Sequence, residues 1–150
     1  MKPKAFDYLK VASTEEAVVA LAQGGEDARI IAGGLSLMPM LNFRLAEPSI
    51  LIDISKVDSL NYIRETNGHV EIGAATRQAD LMRWDGLANK LPLVNAALPY
   101  VGHYQTRAKG TVCGSLSHAD PSSELPLCLA VLEGEVDLQS ENGKRTIPAD

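Results

Sequence analysis

Ala28-Arg29-Ile30-Ile31-Ala32-Gly33-Gly34-Leu35-Ser36-Leu37 carries a short apolar segment with a β-branched centre into two glycines, a hydroxyl and the start of a new apolar pattern. The segment does not alternate, so it reads as a buried strand that stops at Gly33-Gly34. Beyond it Leu37, Met40, Leu41 and Leu45 recur at helical spacing behind Ser36 as N-cap, and Pro39 falls early enough to cost no intrahelical hydrogen bond. Glu47-Pro48 closes that helix, and Ile50-Leu51-Ile52-Asp53-Ile54 is a second buried strand. Strand, helix and strand over residues 28–54 make a small parallel unit.

Upstream, Ser13-Thr14-Glu15-Glu16 precedes Ala17, Val18, Leu21 and Ala22, an N-cap with acidic residues in the first turn of a helix that Gly24-Gly25 ends. Downstream the grammar changes. Asn67-Gly68 sits between Asn61–Glu65 and His69–Ile72, and Asn142-Gly143 between Glu135–Leu138 and Lys144–Ile147, both patterns of tight antiparallel hairpins. Thr76 is positioned to cap a helix through Leu81 and Trp84, and Pro92 to Leu98 forms another before Pro99. The expected class is α+β, a parallel α/β subdomain over residues 1–57 followed by an antiparallel sheet with helices over residues 58–150.

The 150 residues, 45% hydrophobic and 22% charged, suffice for a well-buried core. A net charge of -5 argues against a nucleic-acid partner, which needs a basic face. The longest apolar run, Leu125 to Leu132, is broken by Pro126 and falls far short of the roughly 20 residues of a membrane helix. Met1-Lys2-Pro3-Lys4 lacks the apolar core of a signal peptide, so a cytoplasmic protein is expected. Cys113 and Cys128 stand without a second pair, which excludes a zinc ribbon or an iron–sulfur cluster built from these thiols alone. Cys128, among leucines, reads as a small core hydrophobe.

Two segments concentrate polar chemistry. At Gly33-Gly34-Leu35-Ser36 a strand delivers glycines to a helix start, where backbone N–H groups and a partial positive charge suit an anion, above all a phosphate; such turns also serve as plain packing devices. From Gly110 to Pro126, Thr111, Ser115, Ser117, Ser122 and Ser123 crowd a small-residue loop that enters a helix with Asp120 as N-cap and Pro121 at N1. That density of hydroxyls suits a polar ligand or a solvated loop. The G-x-G-x-x-G and Walker patterns are missing, no G-x-S-x-G elbow accompanies His118, and His69, His103 and His118 lack metal-ligand spacing.

Taken together, Ala32-Gly33-Gly34-Leu35-Ser36-Leu37, Thr111-Val112-Cys113-Gly114-Ser115 and His118-Ala119-Asp120-Pro121-Ser122-Ser123-Glu124-Leu125-Pro126 resemble the FAD-binding medium subunit of molybdenum hydroxylases, the xanthine dehydrogenase and aerobic carbon monoxide dehydrogenase family. Phe6-Asp7-Tyr8, Leu51–Ile54 and Ile72–Thr76 extend the resemblance over essentially the whole chain. It implies FAD lying between two subdomains. Backbone amides of Ala32, Gly33, Gly34, Leu35 and Ser36 would face the pyrophosphate, with Arg29, Ile30 and Ile31 leading in. Thr111, Gly114, Ser115, Ser117 and His118 would follow the phosphates and ribityl chain, with Ser123 and Glu124 as the family's serine–acidic pair.

The resemblance further implies electron transfer from iron–sulfur clusters in a small partner, through FAD, to an external acceptor. Substrate oxidation would occur on a molybdenum cofactor in a large partner, and no catalytic residue is expected here. A flavin-free docking fragment of such an assembly, or a nucleotide-binding protein outside redox chemistry, are the alternatives. Two positions depart from the family pattern: Cys113 stands where glycine is usual and Ser115 where asparagine is usual. Cys113 then requires a negative φ, and a packing role is expected for it rather than a redox one. Family members also continue into a C-terminal domain beyond the region matched by Pro148-Ala149-Asp150.

Overall fold

The computed structural model describes residues 1–149. Fifteen elements follow one another: β1 (Asp7–Lys10), α1 (Thr14–Gly24), β2 (Ala28–Ile31), α2 (Leu37–Asn42), β3 (Ile50–Asp53), β4 (Ile63–Thr66), β5 (His69–Ile72), α3 (Gln78–Arg83), α4 (Leu87–Lys90), α5 (Pro92–Ala97), α6 (Tyr104–Lys109), α7 (Val112–His118), α8 (Glu124–Val131), β6 (Glu135–Ser140) and β7 (Gly143–Pro148). The result is an α+β fold with one parallel sheet and two antiparallel hairpins.

β3 is the centre of the parallel sheet, with β1 and β2 on its flanks. Its burial explains the unbroken apolar run: Leu51 and Ile52 are sealed, and Ile52 packs with Val11, Ala17, Ala20, Ala28, Ile54 and Val57. β2 and β3 pair in parallel as the spacing predicts, with Ala28 opposite Ile50 and Ile31 opposite Asp53. β1 is the strand the sequence pattern does not announce, because all four of its residues are exposed and no burial period marks it. Ser13 caps α1 as expected, its hydroxyl accepting from the Glu16 N–H at 3.1 Å, while Glu16 reaches back to the Ala12 N–H at 2.8 Å.

A second core holds Leu81, Leu87, Val94, Leu98, Val101, Val112, Leu125 and Cys128, with Trp84 packed on its edge. Cys128 is buried there, as read from its neighbours. The Asn67-Gly68 hairpin forms as predicted, both turn residues at positive φ (51 and 83) in the geometry that matches strand twist. The last hairpin is shifted by one residue. Ser140 pairs with Gly143, so Glu141 and Asn142 make the turn and Gly143, at φ 115, opens β7.

Four local expectations are corrected. Ser36 makes no capping hydrogen bond and has helical dihedrals, because the turn starts earlier, where Gly34 O accepts from the Met38 N–H at 2.9 Å. α2 ends at Asn42, well before Pro48: Arg44 at φ 55 closes it, with the Leu45 N–H on Met40 O and the Arg44 N–H on Leu41 O, a Schellman arrangement. Thr76 caps nothing; its buried hydroxyl donates to Tyr62 O at 2.9 Å and accepts from the Tyr62 N–H at 3.1 Å. Asp120 holds a turn through Ser122, and α8 starts later, at Glu124, behind Ser123.

Candidate functional site: a glycine-walled cleft

The first glycine segment leaves the edge strand β2 and meets the chain just before α7. A Cβ on Gly33 would overlap Lys109 O and stand 2.8 Å from Gly110 Cα, so only glycine permits this approach of two backbones. Gly34 turns the chain at φ 71, in the region glycine occupies freely. Among the described residues, the N–H groups of Ala32, Gly33, Gly34, Leu35 and Ser36 donate to no protein acceptor. Unpaired backbone amides at a glycine turn are donors that an anion can satisfy, and of these five residues Ala32 and Gly33 line a cleft.

The opposite wall is clasped from behind. The Gln78 N–H donates to Gly110 O at 2.9 Å and the Val112 N–H to Thr76 O at 3.0 Å, which pairs Arg77 antiparallel with Thr111. These contacts bring Ala32, Gly33, Thr111, Ser55, Arg77 and Lys109 to one cleft of about 170 Å³, floored by Ala75. Ser55 is oriented by Asp53, whose Oδ1 accepts the Ser55 N–H at 2.8 Å. Burial opposes ionisation of Asp53, but hydrogen bonds from the Tyr8 hydroxyl and from Ser55 outweigh it and hold the carboxyl below its ordinary range. The same bond, with desolvation, pushes the Tyr8 phenol upward.

The segment expected as a hydroxyl-rich loop is largely helix. Thr111 caps α7, its Oγ1 accepting from the Gly114 N–H at 3.1 Å, and the Ser115 N–H is already spent on Thr111 O. Gly114 is therefore a capping glycine: a Cβ there would lie 2.5 Å from Thr111 Oγ1. Ser115 and Ser123 hydroxyls bond each other at 3.0 Å, tying α7 to the start of α8. Ser117 and His118 are exposed at the end of α7 and Glu124 stands in the first turn of α8, none of them lining the cleft. Arg29 is turned back on its own strand, donating to Glu26 O and Ala28 O. Ile31 packs beneath Gly34.

Cys113 sits in α7 with ordinary helical φ, as a side chain there requires. Its thiol points to Ile72 O at 3.5 Å, and burial pushes its pKa up to about 11. A thiol so protonated is a packing group rather than a nucleophile. A larger groove of about 440 Å³ lies between β1 and α1, lined by Leu9, Val11, Val19 and Ala20, and holds none of these donors.

Residues 4–150 match the family model described as the FAD binding domain in molybdopterin dehydrogenase. This chain belongs to that family of FAD-binding domains. It is 47% identical over 148 residues to the 6-hydroxypseudooxynicotine dehydrogenase complex subunit alpha of Paenarthrobacter nicotinovorans, covering 99% of this chain and 50% of that protein. It is 39% identical to the carbon monoxide dehydrogenase medium chain of Hydrogenophaga pseudoflava, covering all of this chain and 52% of that one. The solved carbon monoxide dehydrogenase of Hydrogenophaga pseudoflava superposes with a TM-score of 0.96 at 40% identity, over 100% of this chain and 52% of that one. Quinoline 2-oxidoreductase of Pseudomonas putida 86 gives 0.95 at 38%, over 99% and 52%. The chain thus spans about half the length of these relatives.

The donors fit the central segment of FAD. FAD carries a diphosphate between its two ring systems, and the unpaired amides of Ala32 and Gly33 beside the basic residues Arg77 and Lys109 are donors suited to such an anion. At about 170 Å³ the cleft is smaller than the roughly 300–1,000 Å³ of a pocket that encloses a whole ligand, room for a segment the size of a diphosphate rather than for an entire FAD. No helix among the described residues is long and apolar enough to cross a membrane.

Proposed function

We propose that this FAD-binding domain serves as the electron-transfer portion of a medium subunit in a molybdenum-dependent hydroxylase or dehydrogenase. The observation that carries the reading is the row of unpaired amides from Ala32 to Ser36, packed through Gly33 against Lys109-Gly110-Thr111. Those amides receive the diphosphate, and Thr111 closes the far side. Ser115, Ser117, His118, Ser123 and Glu124 lie further along α7 and the start of α8, where the rest of the cofactor extends beyond the cleft. Arg29, Ile30 and Ile31 act indirectly, by fixing the strand from which the glycine turn departs. Residues 1–57 and 58–150 act as the two walls.

Bound FAD supplies a redox group that accepts and releases electrons, and the protein's part is to bind, orient and shield it. The partners are a small iron–sulfur subunit that delivers electrons and a large subunit with the molybdenum cofactor that oxidises the substrate, in the cytoplasm. The names of the relatives support this reading, since one is a dehydrogenase complex subunit and another a carbon monoxide dehydrogenase medium chain. Titration of the chain with FAD, followed by flavin fluorescence and a thermal melt, tests it. Saturable quenching with a raised melting temperature is the expected result. A folded chain that neither quenches nor gains stability would favour a flavin-free docking role.

A further inference from the structure

We propose that Arg77 and Lys109 form a cationic clamp on the diphosphate, so that the cleft recognises nucleoside diphosphates by charge as well as through backbone amides. The inference rests on the reading of this cleft as the FAD diphosphate site.

In a chain whose net charge is -5, the cleft is lined by two cations and no carboxylate. The ion pairs among the described residues are Lys4–Glu47, Arg64–Glu71, Arg83–Asp80 and Lys90–Glu65, none involving Arg77 or Lys109. Neither head group is hydrogen-bonded to the protein among the described residues, although nearby Arg107 is committed to Val101 O and Gly102 O, both at 3.0 Å. Their placement is built into the fold. The clasp of residues 76–78 on residues 110–112 fixes the backbone at Arg77, and the Gly33 contact fixes it at Lys109. Arg77, paired with Thr111, and Lys109, packed against Gly33, thus line the same cleft as both of those residues, and both are exposed. A guanidinium offers a planar fork matched to phosphate oxygens and an ammonium a compact point charge, so the pair can neutralise a group carrying two negative phosphates.

The test compares the wild-type chain with Arg77→Gln, Lys109→Gln, the double variant, and Arg145→Gln on the β7 strand as a charge control. FAD binding is read by fluorescence, and ADP and riboflavin binding by calorimetry, each across a salt series. The clamp predicts about tenfold weaker binding of FAD and ADP for each single variant. It also predicts a shallower salt dependence, unchanged riboflavin binding, unchanged melting of the free protein, and partial recovery in Arg77→Lys.

Wild-type FAD affinity in both single variants overturns the clamp and leaves the FAD site standing. An equal loss in Arg145→Gln overturns it too, as a general charge effect. ADP binding that depends on both cations, with no FAD binding, sustains the clamp while removing the flavin reading. Binding of neither ligand removes both.

Discussion

Gly33→Ala is the perturbation with the most specific consequence. The new methyl group would overlap Lys109 O and lie 2.8 Å from Gly110 Cα and 2.9 Å from the Lys109 carbonyl carbon, all backbone atoms with no rotamer to yield. Restoring an ordinary carbon–carbon contact of about 3.8 Å therefore needs a separation of about 1 Å between the glycine turn and the strip ahead of α7. Overpacking of this kind costs about 1–3 kcal/mol of stability. A 1 Å shift also takes amides on one wall out of hydrogen-bond range of an anion held by the other. Losing one or two charge-assisted bonds weakens FAD binding by about 10- to 1,000-fold. Urea denaturation and FAD titration of the same preparation read both effects. Wild-type stability together with wild-type affinity would mean that the two backbones are not in contact at Gly33.

Gly34→Asp places a carboxylate at the glycine turn in a residue type that tolerates φ 71 better than most; flavin retention should be lost with far-ultraviolet circular dichroism unchanged. Thr76→Val leaves the Tyr62 N–H and carbonyl without their buried partner and should cost about 2–3 kcal/mol in urea denaturation. Burial raises the Cys113 thiol from 9.0 to about 11, so its stabilising contribution is intact below pH 9.0 and lost as pH rises through 11. A pH series of melts should show that loss in wild type and a reduced loss in Cys113→Ala, and iodoacetamide at pH 8 should leave the folded thiol unmodified.

What was legible in the sequence was what burial and turn chemistry write into it. Ile50–Asp53 could be read because a central strand is apolar on both faces, and Asn67-Gly68 because few residues accept two successive positive φ values. β1 escaped because an exposed edge strand has no apolar period, although it pairs with β3 along its whole length. α7 escaped for a different reason. Its small and hydroxylated residues have weak helix propensity, and the helix is held by the Thr111 cap and by Val112 in the core. Thr76 has the residue type of a cap, yet a side-chain hydroxyl also satisfies a neighbouring strand, and only the fold decides between the two.

The site divides along the same line. Gly33 and Thr111 stand in recognisable sequence motifs, although the contact that demands glycine at 33, with Lys109 and Gly110, is long-range. Arg77 and Lys109 lie on segments that meet only through the clasp of residues 76–78 on residues 110–112, so nothing local marks them. At Gly114 the local role is a helix cap, since its N–H is occupied by the Thr111 hydroxyl.

Amide-resolved nuclear magnetic resonance during an FAD titration shows directly whether the amides of residues 32–36 hold the FAD diphosphate. Large shifts are expected at Ala32, Gly33, Gly34, Leu35, Ser36 and Thr111, with residues 135–148 of the last hairpin unmoved. Saturable FAD binding that leaves those six amides unshifted would contradict that placement of the diphosphate.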